Sequence, residues 1–266
     1  MIRRNFVPAI LAVSTLAQLS APLAGANEPQ EVVVFAAASL REVFQSLAPT
    51  FEKQHPNAKI RFNFAGSQDL GVQIDQGAKV DVFASADWKH MRLLAAQGMV
   101  AEPTIFACNR PVVVVPKNNP FNISDFADLP KATRLVVGAP EVPIGAYTEA
   151  IFAAADKSYG KPFGEQIRAR VRSRELNVRQ VLTKVAMGEA DAGIVYRTDA
   201  LTMPDGIRIV EIPAALNPLA EYPIAVLKAA PHAELASDFV RLVMSKDGQR
   251  TLAAAGFTKG EQQGSR

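Results

Sequence analysis

The sequence predicts an α/β protein, and three observations carry that prediction. From Asn27 to the tail, short β-branched runs alternate with stretches of helical apolar spacing, the pattern of strands packed by helices. The clearest unit stands near the start. Val32-Val33-Val34-Phe35 reads as a buried strand, and Leu40, Val43, Phe44, Leu47 and Phe51 fall on one helix face. Finally, a chain of 266 residues can bury a sizeable core, as one large domain or two small lobes.

Residues 1–26 stand apart from the fold. Arg3 and Arg4 form a positive start, Phe6 to Leu19 is mostly apolar, and Ala24-Gly25-Ala26 offers a small-residue cleavage site. This reads as a secretory signal peptide cleaved near Ala26, which predicts a periplasmic protein. No cysteine follows the apolar run, so no lipid anchor is expected there. No other stretch reaches the roughly 18 consecutive apolar residues of a membrane helix. Removing Arg3 and Arg4 takes the 29 basic residues to 27 against 26 acidic ones, a net charge of about +1. That balance argues against a nucleic-acid partner. The lone Cys108 precedes the apolar Val112–Val115 run and is expected to be buried, with no internal disulfide.

The opening strand runs into three alanines and then Ser39, where a helix should begin. Ser39 reads as its N-cap, with Glu42 three residues on completing a capping box. A strand followed by a helix N-terminus offers unpaired N–H groups to an anion. Ile60, Phe62 and Phe64 alternate as the next strand, Ala65-Gly66-Ser67 ends it, and Leu70 and Ile74 begin a helix that stops near Gly77. Val80 to Ala84 reads as a short strand. Asp87 to Gln97 reads as a helix, with Gly98 at its C′ position. Pro103 to Pro116 reads as a crossing that contains the strand Val112–Val115. A second α/β region follows: the strand Leu135-Val136-Val137, an irregular loop from Gly138 to Gly145, and a helix from about Ala146 to Asp156. Lys157 to Gly164 reads as loop, and Arg168 to Arg174 as a solvated basic face. Asn177 caps a helix carrying Val178, Val181, Leu182 and Val185. Ala192–Tyr196 and Tyr222–Leu227 are strands, and a tail helix carries Leu235, Phe239, Leu242 and Val243.

Several enzyme signatures are missing. No two glycines lie two residues apart as a dinucleotide fingerprint needs, and Val72 and Ile194 stand where a P-loop needs lysine. His55, His90 and His232 are isolated, without metal-like pairing. What remains is a set of helix starts. Ser39 and Ser67 each follow a strand. Asn177 with Gln180 makes Val178 the holder of a free first-turn N–H. Pro143-Ile144-Gly145 precedes another helix start, and Tyr196 ends an apolar strand with a hydroxyl. If these converge, they form a pocket of hydroxyls and N–H groups without formal positive charge. Such a pocket suits a dianion that is fully deprotonated at neutral pH.

Several segments then occur in a telling order: Phe35-Ala36-Ala37-Ala38-Ser39-Leu40, Phe64-Ala65-Gly66-Ser67, Gln73-Ile74-Asp75-Gln76-Gly77-Ala78, Asp81-Val82-Phe83-Ala84-Ser85-Ala86-Asp87, Val142-Pro143-Ile144-Gly145-Ala146-Tyr147, Asn177-Val178-Arg179 and Gly193-Ile194-Val195-Tyr196. In this order they resemble the periplasmic molybdate-binding proteins of ABC-type importers. The resemblance covers nearly all of the chain after the leader. It implies the type II periplasmic binding-protein fold: two α/β lobes, a hinge of two crossovers, and ligand in the central cleft. It sets lobe 1 at 27–107 with a C-terminal return at 211–266, and lobe 2 at 108–210. It gives the serine hydroxyls and N–H groups at Ser39 and Ser67 to the oxyanion from one lobe. From the other lobe it gives the N–H groups at Ile144 and Val178 and the hydroxyl of Tyr196. Ile144 stands where alanine is common among relatives, a change that a backbone donor tolerates.

The resulting expectation is a monomeric, non-enzymatic receptor that closes on molybdate or tungstate and delivers it to ABC permease subunits in the inner membrane. It needs no cofactor and no directly coordinated metal. Four rival readings stand beside it. One is a receptor for sulfate or another tetrahedral oxyanion. A second coordinates the metal through Glu141 and Asp69. A third is an exported hydrolase with Ser39 or Ser67 as nucleophile, and the fourth is a sensor domain of the same fold.

Overall fold

Strand β1 (Gln30–Ala37) is buried from Val32 onward and pairs in parallel with β2 (Ala58–Ala65) on one side and β3 (Val82–Ala84) on the other. Between them run α1 (Arg41–Gln54) and α2 (Ser67–Asp75), and after β3 come α3 (Trp88–Ala96) and β4 (Thr104–Asn109). The chain then builds β5 (Pro111–Pro116), β6 (Leu135–Gly138), α4 (Pro143–Tyr159), α5 (Phe163–Arg168), β7 (Val171–Glu175), α6 (Val178–Ala186), β8 (Ala192–Tyr196), the single turn α7 (Arg197–Ala200) and β9 (Ile207–Val210). It closes with β10 (Ala220–Val226), α8 (Ala233–Met244) and α9 (Lys246–Ala254). This computed structural model describes residues 29–160 and 162–259. The expected leader at 1–26 lies outside the described residues. No helix among those described is long and apolar enough to cross a membrane.

The strands form two five-stranded sheets, ordered β2-β1-β3-β10-β4 and β7-β6-β8-β5-β9. The three strands at the start of each order run parallel, and the remaining two join antiparallel. The chain crosses between sheets twice. Only Arg110 separates β4 from β5, and residues 211–219 lead from β9 back to β10. The two crossings are tied together: Arg110 Nη1 donates to the Asn217 carbonyl (3.2 Å) and Asn217 Nδ2 donates to the Pro111 carbonyl (2.9 Å). Two α/β layers with two crossings are what the resemblance implied.

Helix α1 lays Val43, Phe44, Leu47 and Phe51 on the first sheet. The Phe44 ring meets Phe106 at 5.7 Å and Phe239 of α8 edge-on at 5.4 Å. Helix α6 buries Val178, Val181, Leu182 and Val185 against the second sheet and ends before Gly188, whose φ of +74° favours glycine. Cys108 is buried within β4, as expected.

Several expectations need correction. Ser39 does not cap a helix: it lies inside a 3-10 turn, Ala38–Leu40, and no side chain caps that turn or α1. Glu42 reaches Arg179 instead. Helix α4 begins three residues earlier than Ala146, because Pro143 sits at its first turn, where its missing N–H costs nothing. The crossing at 103–116 contains two strands. The basic stretch contains the strand β7, and α5 takes up part of the expected loop at 157–164. Strand β9 and helix α9 had no counterpart in the sequence reading.

Candidate functional site

Parallel strands present their C-terminal ends along one edge, and ligands of open α/β sheets sit at such edges. The first sheet delivers Ser39 just past β1 and Ser67 just past β2. The second delivers Ile144 past β6, Val178 past β7 and Tyr196 at the end of β8. All five line one cavity. Ala37, Ala38, Ala65, Gly66 and Ala86 complete its wall on one side, and Val142, Pro143 and Asn177 do so on the other. No Lys, Arg, Asp or Glu lies in that lining. The cavity is small, with a volume of about 20 Å³. The size fits a small ion rather than an organic solute.

Each donor is set by its local fold. Asn177 caps α6 with its Oδ1, which accepts from the N–H groups of Arg179 (3.0 Å) and Gln180 (3.1 Å). The N–H of Val178, first in the helix, has no intrahelical partner. The Gln180 side chain accepts from Leu176 rather than closing back on Asn177. In α4 the first intrahelical bond runs from the Ala146 N–H to the Val142 carbonyl. That leaves the Ile144 N–H to the cavity side. Ser67 opens α2, and its Oγ accepts from the Ala86 N–H at 3.0 Å. Ser39 Oγ lies 3.0 Å from the Tyr222 hydroxyl. Both serines are buried.

Tyr196 is 1% exposed, and its hydroxyl has no hydrogen-bond partner. Burial pushes its phenol well above the ordinary value, and the neighbouring Tyr222, Tyr147, Asp87 and Asp199 add to the rise. It therefore stays protonated and remains a donor. The cavity offers hydroxyls and N–H groups and no charge. It can hold an ion whose oxygens all accept.

Helices of the two sheets also meet beside the cavity. Gln68 Nε2 donates to the Leu176 carbonyl at 2.8 Å. Arg179 pairs with Glu42 of α1 and, through Nε, with Asp199 Oδ1 at 2.6 Å. Asp199 is 0% exposed. Burial pushes its carboxyl up to about 7, Arg179 pulls the other way, and Glu42 adds to the rise. An acid whose folded value exceeds its unfolded one binds more protons when folded. Its contribution to stability is thus full in acid, falls as pH rises from about 4 to about 7, and is flat beyond. The Asp199→Asn variant should gain on the wild type by a few kcal/mol across that window. Urea unfolding at pH 4.5, 6 and 8 reads this, and a constant difference at all three would refute it.

Two of the rivals, the serine hydrolase and the carboxylate-held metal, find no support in this geometry. Among the described residues no histidine bonds either serine; His90 instead holds the Asp87 carboxylate at 2.9 Å. Glu141 and Asp69 are absent from the cavity lining. Among the described residues no group of three or more His, Cys, Asp or Glu could hold a metal ion. Sequence reasoning did not single out Tyr222, Asn109 or the Arg179–Asp199 pair.

Comparison with known proteins agrees with this architecture. The bacterial extracellular solute-binding protein family matches residues 32–258. The molybdate-binding protein ModA of Mycobacterium tuberculosis is 38% identical over 261 residues, 97% of this chain and 96% of that one. The substrate-binding domain of a putative molybdenum ABC transporter from Clostridium difficile superposes with a TM-score of 0.66 at 28% identity, over 87% of this chain and 99% of that one. The sulfate-binding protein SubI of Mycobacterium tuberculosis shares the fold, with a TM-score of 0.77 at 19% identity over 88% of each chain. Two five-stranded α/β layers, donors gathered where parallel strands end, and similarity along nearly the whole chain lead to one assignment: the chain belongs to the bacterial extracellular solute-binding proteins, alongside the ModA proteins, a family of transport components and not of enzymes.

Proposed function

We propose that this protein captures molybdate, and tungstate with it, in the cavity between its sheets and delivers the oxyanion to an ABC importer from the periplasm, as a monomer whose leader is removed near Ala26. Ser39 and Ser67 give hydroxyl and N–H donors from one lobe; Ile144 and Val178 give N–H groups and Tyr196 a hydroxyl from the other. The lobes are 27–107 with 211–266, and 108–210. The membership of the strands in the two sheets supports that division, although β4 runs two residues past 107. The observation that carries the ligand reading is the Tyr196 hydroxyl, buried in the cavity wall without a partner. Leaving such a group unmade costs about 1–3 kcal/mol, a cost that an acceptor oxygen in the cavity removes. The similarity to ModA supports molybdate among oxyanions.

Calorimetric titration of the stripped protein with molybdate, tungstate, sulfate and phosphate tests this. Molybdate and tungstate should bind at least ~100-fold more tightly than phosphate, which carries a proton that meets only donors. At about 100 times its dissociation constant, molybdate should add about 2.7 kcal/mol of stability. Equal affinity for phosphate would end the neutral-donor reading, and a preference for sulfate would reassign the ligand.

Proline at 178 isolates one backbone donor. Asn177 has φ −157° and ψ 164°, extended values that a following proline accepts. Val178→Pro should therefore keep the fold and delete only the N–H. Molybdate should bind about tenfold more weakly or worse, with the ligand-free melting temperature little changed. Unchanged affinity would remove Val178 from the site.

A further inference from the structure

The Val178 N–H sits on a short segment of the second lobe that is bonded across the cleft on both flanks. Upstream, the Leu176 carbonyl accepts from Gln68 Nε2 at 2.8 Å. Downstream, the Arg179 guanidinium pairs with the Glu42 carboxylate. Both partners ride on the elements that follow the two serines: Glu42 is in the first turn of α1, and Gln68 follows Ser67 in α2. Backbone comes close here as well. A Cβ at Gly66 would lie 2.5 Å from the Leu176 carbonyl oxygen. The Arg179 side chain is also fixed on its own lobe, independently of Glu42. Its Nε lies 2.6 Å from Asp199 Oδ1, and its Nη1 donates to Thr202 Oγ1 at 3.0 Å. Thr202 gives its own proton to the Asp199 carbonyl at 2.7 Å, which leaves its oxygen to accept. An exposed ion pair between two long, mobile side chains stabilises little, because both must be immobilised. The Arg179 side chain is 18% exposed and already held, so only Glu42 is left to order.

We infer that Arg179 is a positioning residue for ligand retention: anchored by Asp199 and Thr202, it clasps Glu42 of the facing lobe and, with the Gln68–Leu176 bond, holds the Val178 N–H over the cavity and slows release of the oxyanion. None of Glu42, Gln68 and Arg179 lines the cavity. The clasp therefore adds no contact to the ligand. It acts on the closed arrangement alone, because its bonds exist only while the lobes face each other. A ligand enclosed between the lobes leaves when they part. Release, rather than capture, is thus the rate that the clasp governs. On entry Glu42 has the opposite effect: its negative charge at the rim repels an incoming anion, and Arg179 offsets it.

This inference rests on the oxyanion reading of the cavity, and its test separates the two. Each protein is titrated with sodium molybdate, then loaded with radioactive molybdate and chased with an excess of the unlabelled salt. Rapid filtration follows the label that stays bound. If the wild type binds no molybdate, the oxyanion reading fails and the clasp with it. If the wild type binds, Glu42→Gln should release about fivefold faster, with an association rate equal or higher. Gln68→Ala should also release about fivefold faster. Raising sodium chloride from about 0.05 M to about 0.5 M should quicken release from the wild type about twofold and leave Glu42→Gln unchanged. Glu52→Gln, which breaks an ion pair with Lys59 inside the first lobe, is the control and should release as the wild type does. Arg179→Gln alone would strand the buried Asp199, so it is combined with Asp199→Asn. In that background Glu42→Gln should change release by less than about twofold. Should the background fail to fold, the salt comparison decides alone. Release from Glu42→Gln at the wild-type rate, with the same response to salt, overturns the clasp. So does an undiminished effect of Glu42→Gln in the absence of Arg179, which would mean that Glu42 acts through its own charge and not through the pair.

Discussion

Gly145→Ala should cost about 3 kcal/mol of stability and reduce molybdate affinity at least a hundredfold. A Cβ at this position would lie 1.9 Å from the Ala139 carbonyl oxygen and 2.6 Å from that of Gly138. Both are backbone atoms at the end of β6, so no rotamer change relieves the overlap. Helix α4 must back away from the strand, and it carries the Ile144 N–H with it. The same movement opens the wall formed by Val142 and Pro143. Gly71→Ala, in the middle of α2, is the control. Nothing lies within 4 Å of its added Cβ, and the change should stabilise by about 0.5–1 kcal/mol. Urea unfolding and calorimetry read both variants. If Gly145→Ala unfolds at the wild-type midpoint and binds normally, then the close approach of strand and helix does not hold the site together.

The donor positions were legible because each is marked by local chemistry. Small residues after a β-branched run, then a capping side chain or a proline, announce a strand that ends at a helix start, and Asn177 and Pro143 behave so. The misreadings have a common cause as well. Strands β7 and β9 are the two edges of the second sheet. An edge strand needs apolar residues less consistently, so Arg-Ser-Arg in β7 reads as a solvated face. Ser39 carries the signature of a capping box, but its partner lies 183 residues away in β10 and Glu42 finds Arg179 137 residues away. No window along the sequence holds such pairs. The five residues that line the cavity could therefore be picked out along the sequence, while the residues behind them became visible only once the strands were in register.

Ser39→Ala and Tyr196→Phe, although both should weaken molybdate binding, should move the ligand-free protein in opposite directions. In the proposed site each would remove one hydroxyl bond to a charged ligand, worth roughly 1.5–3 kcal/mol, or about ten- to a hundredfold in affinity. Without ligand, Tyr196 has no partner to lose. Its removal relieves a buried unmade bond, and Tyr196→Phe should stabilise the empty protein by about 1 kcal/mol. Ser39→Ala instead breaks the 3.0 Å contact with Tyr222 and should destabilise it by a similar amount. Combined, the changes should lower affinity by roughly 10²–10⁴-fold if the two hydroxyls act independently. Tyr222 touches both residues, so a shortfall from the product of the single effects measures the coupling through its ring. Thermal melts without ligand and titrations with molybdate give every term. A Tyr196→Phe protein that is less stable when empty, yet binds molybdate as the wild type does, would make the hydroxyl a structural group and take it out of the site.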